Sequence, residues 1–200
     1  MFEKPLLIAE IGGNHQGDFG KAKDLVNMAL ECDVEFIKLQ TYFADTLVEK
    51  TMSPDRWEHF KKFELSIDQH IELAELVTNQ GRNYLTSIWD MDSYSHLEKY
   101  LTHIKVGSGD AVAYSFLNQA ALIGKPIILS TGLCTLNEVS SSIQTLREIN
   151  PIYKKPEFLY VLQCTSMYPI PMMEANLNVM NEYRKFICRV GYSDHTLGKF

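Results

Sequence analysis

The sequence predicts an α/β protein built on a parallel sheet, a (β/α)8 TIM barrel, on three observations. Short runs that are apolar at nearly every position alternate with segments of helical periodicity, as strands buried on both faces and covered by helices require. The order along the chain reads βαβαβαβαβαβαβ. Nearly every strand run also ends in polar, chemically capable residues. That distribution is expected at the C-terminal mouth of a barrel, whereas a doubly wound sheet would concentrate such residues at one switch point.

The strand-like runs fall at 6–11, 35–39, 83–88, 103–106, 126–129, 158–162 and 189–192. Between them, Ala22, Leu25, Val26, Ala29 and Leu30 form one apolar helical stripe, and Ile67, Ile71, Ala74 and Val77 form another. Ser66 with Gln69, and Thr135 with Glu138, have the spacing of capping boxes, and Gly81 and Gly124 stand where helices should stop. Residues 43–65 make a connection far longer than the roughly 2–6 residues usual between a strand and its helix. It carries Trp57, Phe60 and Phe63 among Lys61, Lys62 and Glu64, so part of it is expected to be a short helix and the whole to act as a lid or subunit contact. No internal repeat, low-complexity tract or linker is present.

Composition narrows the function classes. With 46% hydrophobic and 22% charged residues the 200-residue chain is that of an ordinary globular protein with a sizeable core. Its net charge of −6 offers no global positive field for nucleic acid or an anionic membrane, so an anionic ligand would need a local cationic site. No run approaches the ~20 apolar residues of a membrane span, and the N-terminal MFEKPLLIAEIGG lacks the length and flanks of a signal peptide. The expected location is the cytoplasm. Cys32, Cys134, Cys164 and Cys188 are far apart and set among apolar neighbours, and are read as buried free thiols of a reducing compartment.

The polar strand ends are Glu10 with Gly12, Gly13, Asn14 and His15; Lys38, Gln40 and Thr41; Thr86, Ser87 and Asp90; Lys105, Ser108 and Asp110; Ser130 and Thr131; Gln163, Thr165 and Ser166; and Ser193, Asp194 and His195. Lys38 and Lys105 are the sharpest signals, because each interrupts a strand that should be buried on both faces. One such lysine is as well explained by a neighbouring carboxylate. Two, in a mouth rich in hydroxyls and glycine amides, suit a phosphate or carboxylate ligand. Gly107-Ser108-Gly109 would let backbone N–H groups approach such an anion. Ser193 and His195 share strand parity, and His195, near Glu10 and Asp110 in the expected mouth, is a metal-ligand or acid–base candidate. His59, His70, His96 and His103 are read as surface residues, the methionines at 28, 167, 172, 173 and 180 as core or loop filler, and Trp89 as a possible pocket wall. The serines and cysteines lack triad partners, which disfavours nucleophilic hydrolysis.

At these positions the sequence resembles the sialic acid synthase family, N-acetylneuraminate synthase and its relatives making other nonulosonic acids. The resemblance runs from residue 5 to the C-terminus on six ordered motifs: IAEIGGNHQG (8–17), FIKLQT (36–41), IKVGSGD (104–110), GKPIILSTG (124–132), LQCTSMYP (162–169) and GYSDHT (191–196). It implies a (β/α)8 barrel followed by a small antifreeze-like domain, in a domain-swapped homodimer. The implied reaction condenses phosphoenolpyruvate with an open-chain N-acetylated aminosugar such as N-acetylmannosamine, aided by Mn2+ or Mg2+, in surface glycan biosynthesis. By motif, Lys38, Lys105, Ser108 and Ser193 would hold phosphoenolpyruvate, and Ser87 and Ser166 stand where relatives often carry Thr and Asn for the same task. His195 would be a metal ligand, Glu10 would contact the sugar, and Asp110 would act as an acid–base or orienting carboxylate. The segment TSIWD (86–90) departs from the TPFD-like sequence common in relatives, which bears on substrate identity more than on reaction type.

A full barrel takes about 250 residues, and seven strand runs are present here. The expectation is therefore one synthase-type barrel domain over residues 1–200, ending after the seventh strand, without the antifreeze-like domain and poorly active alone. Two other readings stay open on the residues: a Schiff-base aldolase acting through Lys105 or Lys38, and a non-catalytic remnant or interaction module.

Overall fold

Parallel strands and intervening helices follow one another through the whole of the computed structural model, which describes residues 4–198. The chain divides into two compact units, Met1–Thr102 and His103–Phe200.

In the first unit, β1 (Ile8–Glu10), β2 (Phe36–Thr41) and β3 (Asn83–Ile88) pair in parallel and in chain order, with Glu10 opposite Lys38 and Gln40 opposite Ser87. Helix α1 (Phe19–Leu30) starts at Asp18, whose carboxylate accepts the Lys21 N–H, and buries Ala22 and Val26 from the expected stripe. The long connection holds two helices, α2 (Ala44–Leu47) and α3 (Pro54–Phe63), followed by α4 (Ile67–Asn79), whose Ser66–Gln69 capping box forms as the spacing predicts. Helix α4 buries Leu73, Ala74 and Val77. Helix α5 (Met91–Leu97) is capped by Asp90, which accepts from the Ser93 N–H and hydroxyl. Tyr42, Phe60 and Trp89 form an aromatic cluster, with ring centroids 4.9 Å apart for Tyr42–Trp89 and 5.3 Å for Tyr42–Phe60. It pins α3 beside the ends of β2 and β3. Gly17 (φ +80) fits there because any Cβ would lie 2.0 Å from the Lys62 carbonyl oxygen.

In the second unit, β4 (Ile104–Val106), β5 (Ile127–Ser130), β6 (Leu159–Gln163) and β7 (Arg189–Tyr192) again pair in parallel and in chain order. Helices α6 (Tyr114–Ile123), α7 (Leu136–Ile149) and α8 (Val179–Tyr183) fill the connections. Gly124 ends α6 in the left-handed conformation, and Thr135 and Glu138 make the second capping box. One face of the strands is wholly buried through Ile127, Leu129, Leu159 and Val161, and the helices bury Leu117, Ala120, Ile143 and Leu146. Strand order follows chain order throughout each unit, which is the barrel arrangement and leaves no switch point of the doubly wound kind.

Several expectations on burial change. Cys32 is exposed, Cys134 and Cys188 are half-buried, and only Cys164 is buried, although all four are free thiols. Cys32 lies just past the end of α1, on its solvent side. His70 is buried rather than superficial because α4 turns it onto Thr41 and Tyr84, and His103 is half-buried; His59 and His96 are exposed. Of the core and loop alternatives for the methionines, the exposure of Met28, Met167, Met172 and Met173 rules out the core for these four. No helix among the described residues is long and apolar enough to cross a membrane.

Candidate functional site

In the first unit, parallel register places Glu10, Lys38, Gln40 and Ser87 on one face of the sheet, because residues two apart on a strand and residues opposite one another share a face. Lys38 is 6% exposed, and its Nζ lies 2.8 Å from Glu10 Oε2 and 3.1 Å from Oε1, with the Leu39 carbonyl 3.3 Å away. The carboxylate partner weighed as the structural explanation of such a lysine is thus Glu10 itself. The loop after β1 folds back so that the N–H groups of Ile11 and Gly12 donate to the Lys38 carbonyl, and Gly12 (φ +52) lies under the Glu10 carboxylate. Ser87 is buried at the end of β3.

The opposite face of β2 and β3 carries a buried polar network. Thr41 and Thr86 share a hydrogen bond of 2.8 Å, and His70 Nδ1 lies 2.9 Å from the Tyr84 hydroxyl. Burial, and secondarily the charge of His15, pushes His70 down to about 4. His15 is also buried; it accepts the Gly17 N–H through Nδ1, and burial, followed by Lys21, lowers its pKa.

In the second unit, Lys105 is 5% exposed and donates to Ser130 Oγ at 2.7 Å and to the Val106 carbonyl at 2.7 Å. Ser108–Asp110 forms a 3-10 turn in which the Asp110 N–H donates to the Gly107 carbonyl. Ser108 Oγ accepts the Gly132 N–H at 3.0 Å and lies 3.0 Å from Cys164 Sγ. A Cβ on Gly132 would meet Ser166 Oγ at 2.3 Å and Ser108 Oγ at 2.9 Å, so the glycine is required by the close approach of both serines. The ends of β4, β5 and β6 therefore build a polar cradle from Ser108, Gly132, Cys164 and Ser166. Burial raises the Asp110 carboxyl above its usual range, partly opposed by Lys105.

Ser193 and His195 both lie past Tyr192, the last residue of β7, so the parity argument does not govern them. The Ser193 N–H donates to the Gln163 carbonyl. His195 Nδ1 lies 2.9 Å from the Thr165 carbonyl, which makes that nitrogen the donor, while Tyr168 stacks on the ring at 4.1 Å. This is how a metal-binding imidazole is oriented. Among the described residues, however, no three of His, Cys, Asp and Glu gather as a metal-holding group. The residues present supply one oriented donor and do not by themselves fit a divalent ion.

Two participants stand out only in the structure. Ser130 appears in the sequence simply as a polar strand end, yet it is the hydroxyl that holds Lys105. Cys164 reads as an apolar-context thiol, and no local signal reveals its contact with Ser108, 56 residues away.

Residues 25–200 match the NeuB family. The chain is 36% identical to N,N'-diacetyllegionaminic acid synthase of Legionella pneumophila over 96% of its own length and 58% of that protein. It is 33% identical to human N-acetylneuraminate-9-phosphate synthase over 96% and 56% respectively. A crystal structure of N-acetylneuraminic acid (sialic acid) synthetase from Leptospira borgpetersenii, in complex with citrate, superposes with a TM-score of 0.86 at 25% identity, covering 98% of this chain and 67% of that one. The chain spans a little over half the length of the curated relatives it matches.

Proposed function

Because the chain belongs to the NeuB family, we propose that it serves the condensation of phosphoenolpyruvate with an N-acetylated aminosugar aldehyde, N-acetylmannosamine or a relative, giving a sialic acid-like nonulosonic acid and phosphate. The observation that carries this reading is the pair of buried lysines, Lys38 and Lys105, each inside a parallel strand and each set beside a hydroxyl or a carboxylate. Buried ammonium groups are costly unless something anionic or strongly accepting meets them. A trianionic enol phosphate is such a partner. The names of the relatives, synthases of legionaminic and neuraminic acids, agree in reaction class.

In the proposed reaction C3 of phosphoenolpyruvate attacks the aldehyde carbon, water captures the cationic C2, and phosphate leaves by C–O cleavage. Lys38, Lys105, Ser108 and Ser193 would hold the donor, with Ser87 and Ser166 assisting, so that catalysis is positioning and charge stabilisation without a covalent intermediate. Glu10 would orient the sugar while keeping Lys38 in place. Asp110, whose carboxyl is raised above its ordinary range by burial while Lys105 opposes the shift, would take an acid–base or orienting role. His195 would lend a single nitrogen donor. A homodimer in the cytoplasm, feeding surface glycan synthesis, belongs to the same proposal.

Titration with phosphoenolpyruvate followed by borohydride treatment in the presence of pyruvate tests this against a Schiff-base aldolase. Reversible binding with no protein adduct is the expected result, and a reduced adduct on Lys38 or Lys105 would overturn the proposal.

A further inference from the structure

We propose that Cys164 is a positioning residue for Ser108, acting on the hydroxyl that, on the reading above, meets the anionic donor. The inference rests on that reading. Three heteroatoms crowd the space where Gly132 lacks a side chain: a Cβ there would lie 2.3 Å from Ser166 Oγ, 2.9 Å from Ser108 Oγ and 3.0 Å from Cys164 Sγ. The Gly132 N–H is shared between Ser108 Oγ at 3.0 Å and Cys164 Sγ at 3.1 Å, and sulfur and oxygen are themselves 3.0 Å apart. A hydroxyl has one proton and two acceptor sites. Either atom of the Ser108–Cys164 pair can donate; in the proposed arrangement the thiol donates, so that with the Gly132 N–H on one acceptor site and the thiol proton on the other, the Ser108 proton points toward an incoming phosphate or carboxylate oxygen.

Cys164 is 6% exposed, so water does not substitute for it readily. Its polar neighbours are a hydroxyl and an amide, neither of them a base, which fits orientation and not nucleophilic attack. The thiol therefore does for Ser108 what the Thr165 carbonyl does for His195: it decides which way a polar group faces.

Calorimetric titration of the protein with phosphoenolpyruvate tests this through Cys164→Ala and Cys164→Ser. Losing the orienting bond is expected to raise the dissociation constant about tenfold in Cys164→Ala. Cys164→Ser, which keeps a donor at that place, is expected to stay within roughly threefold of the parent protein. A purely structural role would lower the fraction of binding-competent protein and leave the dissociation constant unchanged. Cys164→Ala binding with the parent constant overturns the inference while leaving the proposed function standing, and a parent protein that does not bind phosphoenolpyruvate takes both down. Should Cys164→Ala not fold, labelling of the parent protein with methyl methanethiosulfonate, read by mass spectrometry, replaces it. Phosphoenolpyruvate is expected to slow modification of Cys164 but not of exposed Cys32, and equal labelling of Cys164 with and without it overturns the inference.

Discussion

Glu10 and Lys38 stand opposite one another in the parallel register of β1 and β2, and their side chains close an ion pair of 2.8 Å in which the ammonium is buried and the carboxylate half-exposed. The pair explains how a lysine survives inside a strand. It also leaves the Glu10 carboxylate half-exposed to solvent. Glu10→Gln removes the charge that compensates a buried ammonium, and is expected to destabilise the protein by about 1–2 kcal/mol. Lys38→Met, which keeps the apolar stem, is expected to cost little stability and to weaken phosphoenolpyruvate binding at least tenfold. Urea denaturation and calorimetric titration of the two variants measure these opposite patterns.

Stability is expected to fall on acidification through His70. Its pKa is about 4 in the folded protein because of burial, against about 6.5 in an unfolded chain. The folded state therefore binds fewer protons, so the stability is fully present above about pH 6.5 and is lost as pH falls toward 4. The loss is on the order of 3 kcal/mol. Urea midpoints measured between pH 7.5 and 4.5 should show it, and His70→Leu should flatten the slope.

Gly132→Ala places a Cβ against Ser166, Ser108 and Cys164. Serine hydroxyls rotate away from such a clash more cheaply than backbone moves, so the expected cost in stability is about 1–3 kcal/mol. Phosphoenolpyruvate affinity should drop by more than that cost suggests, because relief of the clash turns both hydroxyls out of the cradle. Parallel thermal melts and titrations separate the two effects.

His195 supplies one oriented nitrogen, and among the described residues no cluster of three metal donors forms. Mn2+ added alone is therefore expected to bind weakly, with a dissociation constant of roughly millimolar order, as for a site with few protein ligands. Electron paramagnetic resonance of free Mn2+ measures this, and His195→Ala should remove what binding there is.

Much of the fold was legible because its signals are local. The seven strands among the described residues fall within a few residues of the apolar runs, and both capping boxes form at Ser66 and Thr135. Lys38 and Lys105 were legible because a charge inside an apolar run violates the local pattern. The partners of those lysines were not, since Glu10 and Ser130 reach them only through strand register. His70 was misread because a histidine on a helix takes its environment from the strand it packs on, here through Thr41 and Tyr84. Cys164 escaped for a similar reason: its polar role depends on Gly132 and Ser108, brought to it from two other strand ends.

Incubation of the protein in H2(18)O with phosphoenolpyruvate and N-acetylmannosamine, with the products analysed by mass spectrometry, tests the proposed condensation. Whatever nonulosonic acid forms is expected to be matched by an equal amount of phosphate carrying no (18)O, since the C–O bond breaks and the bridging oxygen leaves with phosphorus. Phosphate labelled from water, or phosphate released without the condensed sugar acid, would contradict it.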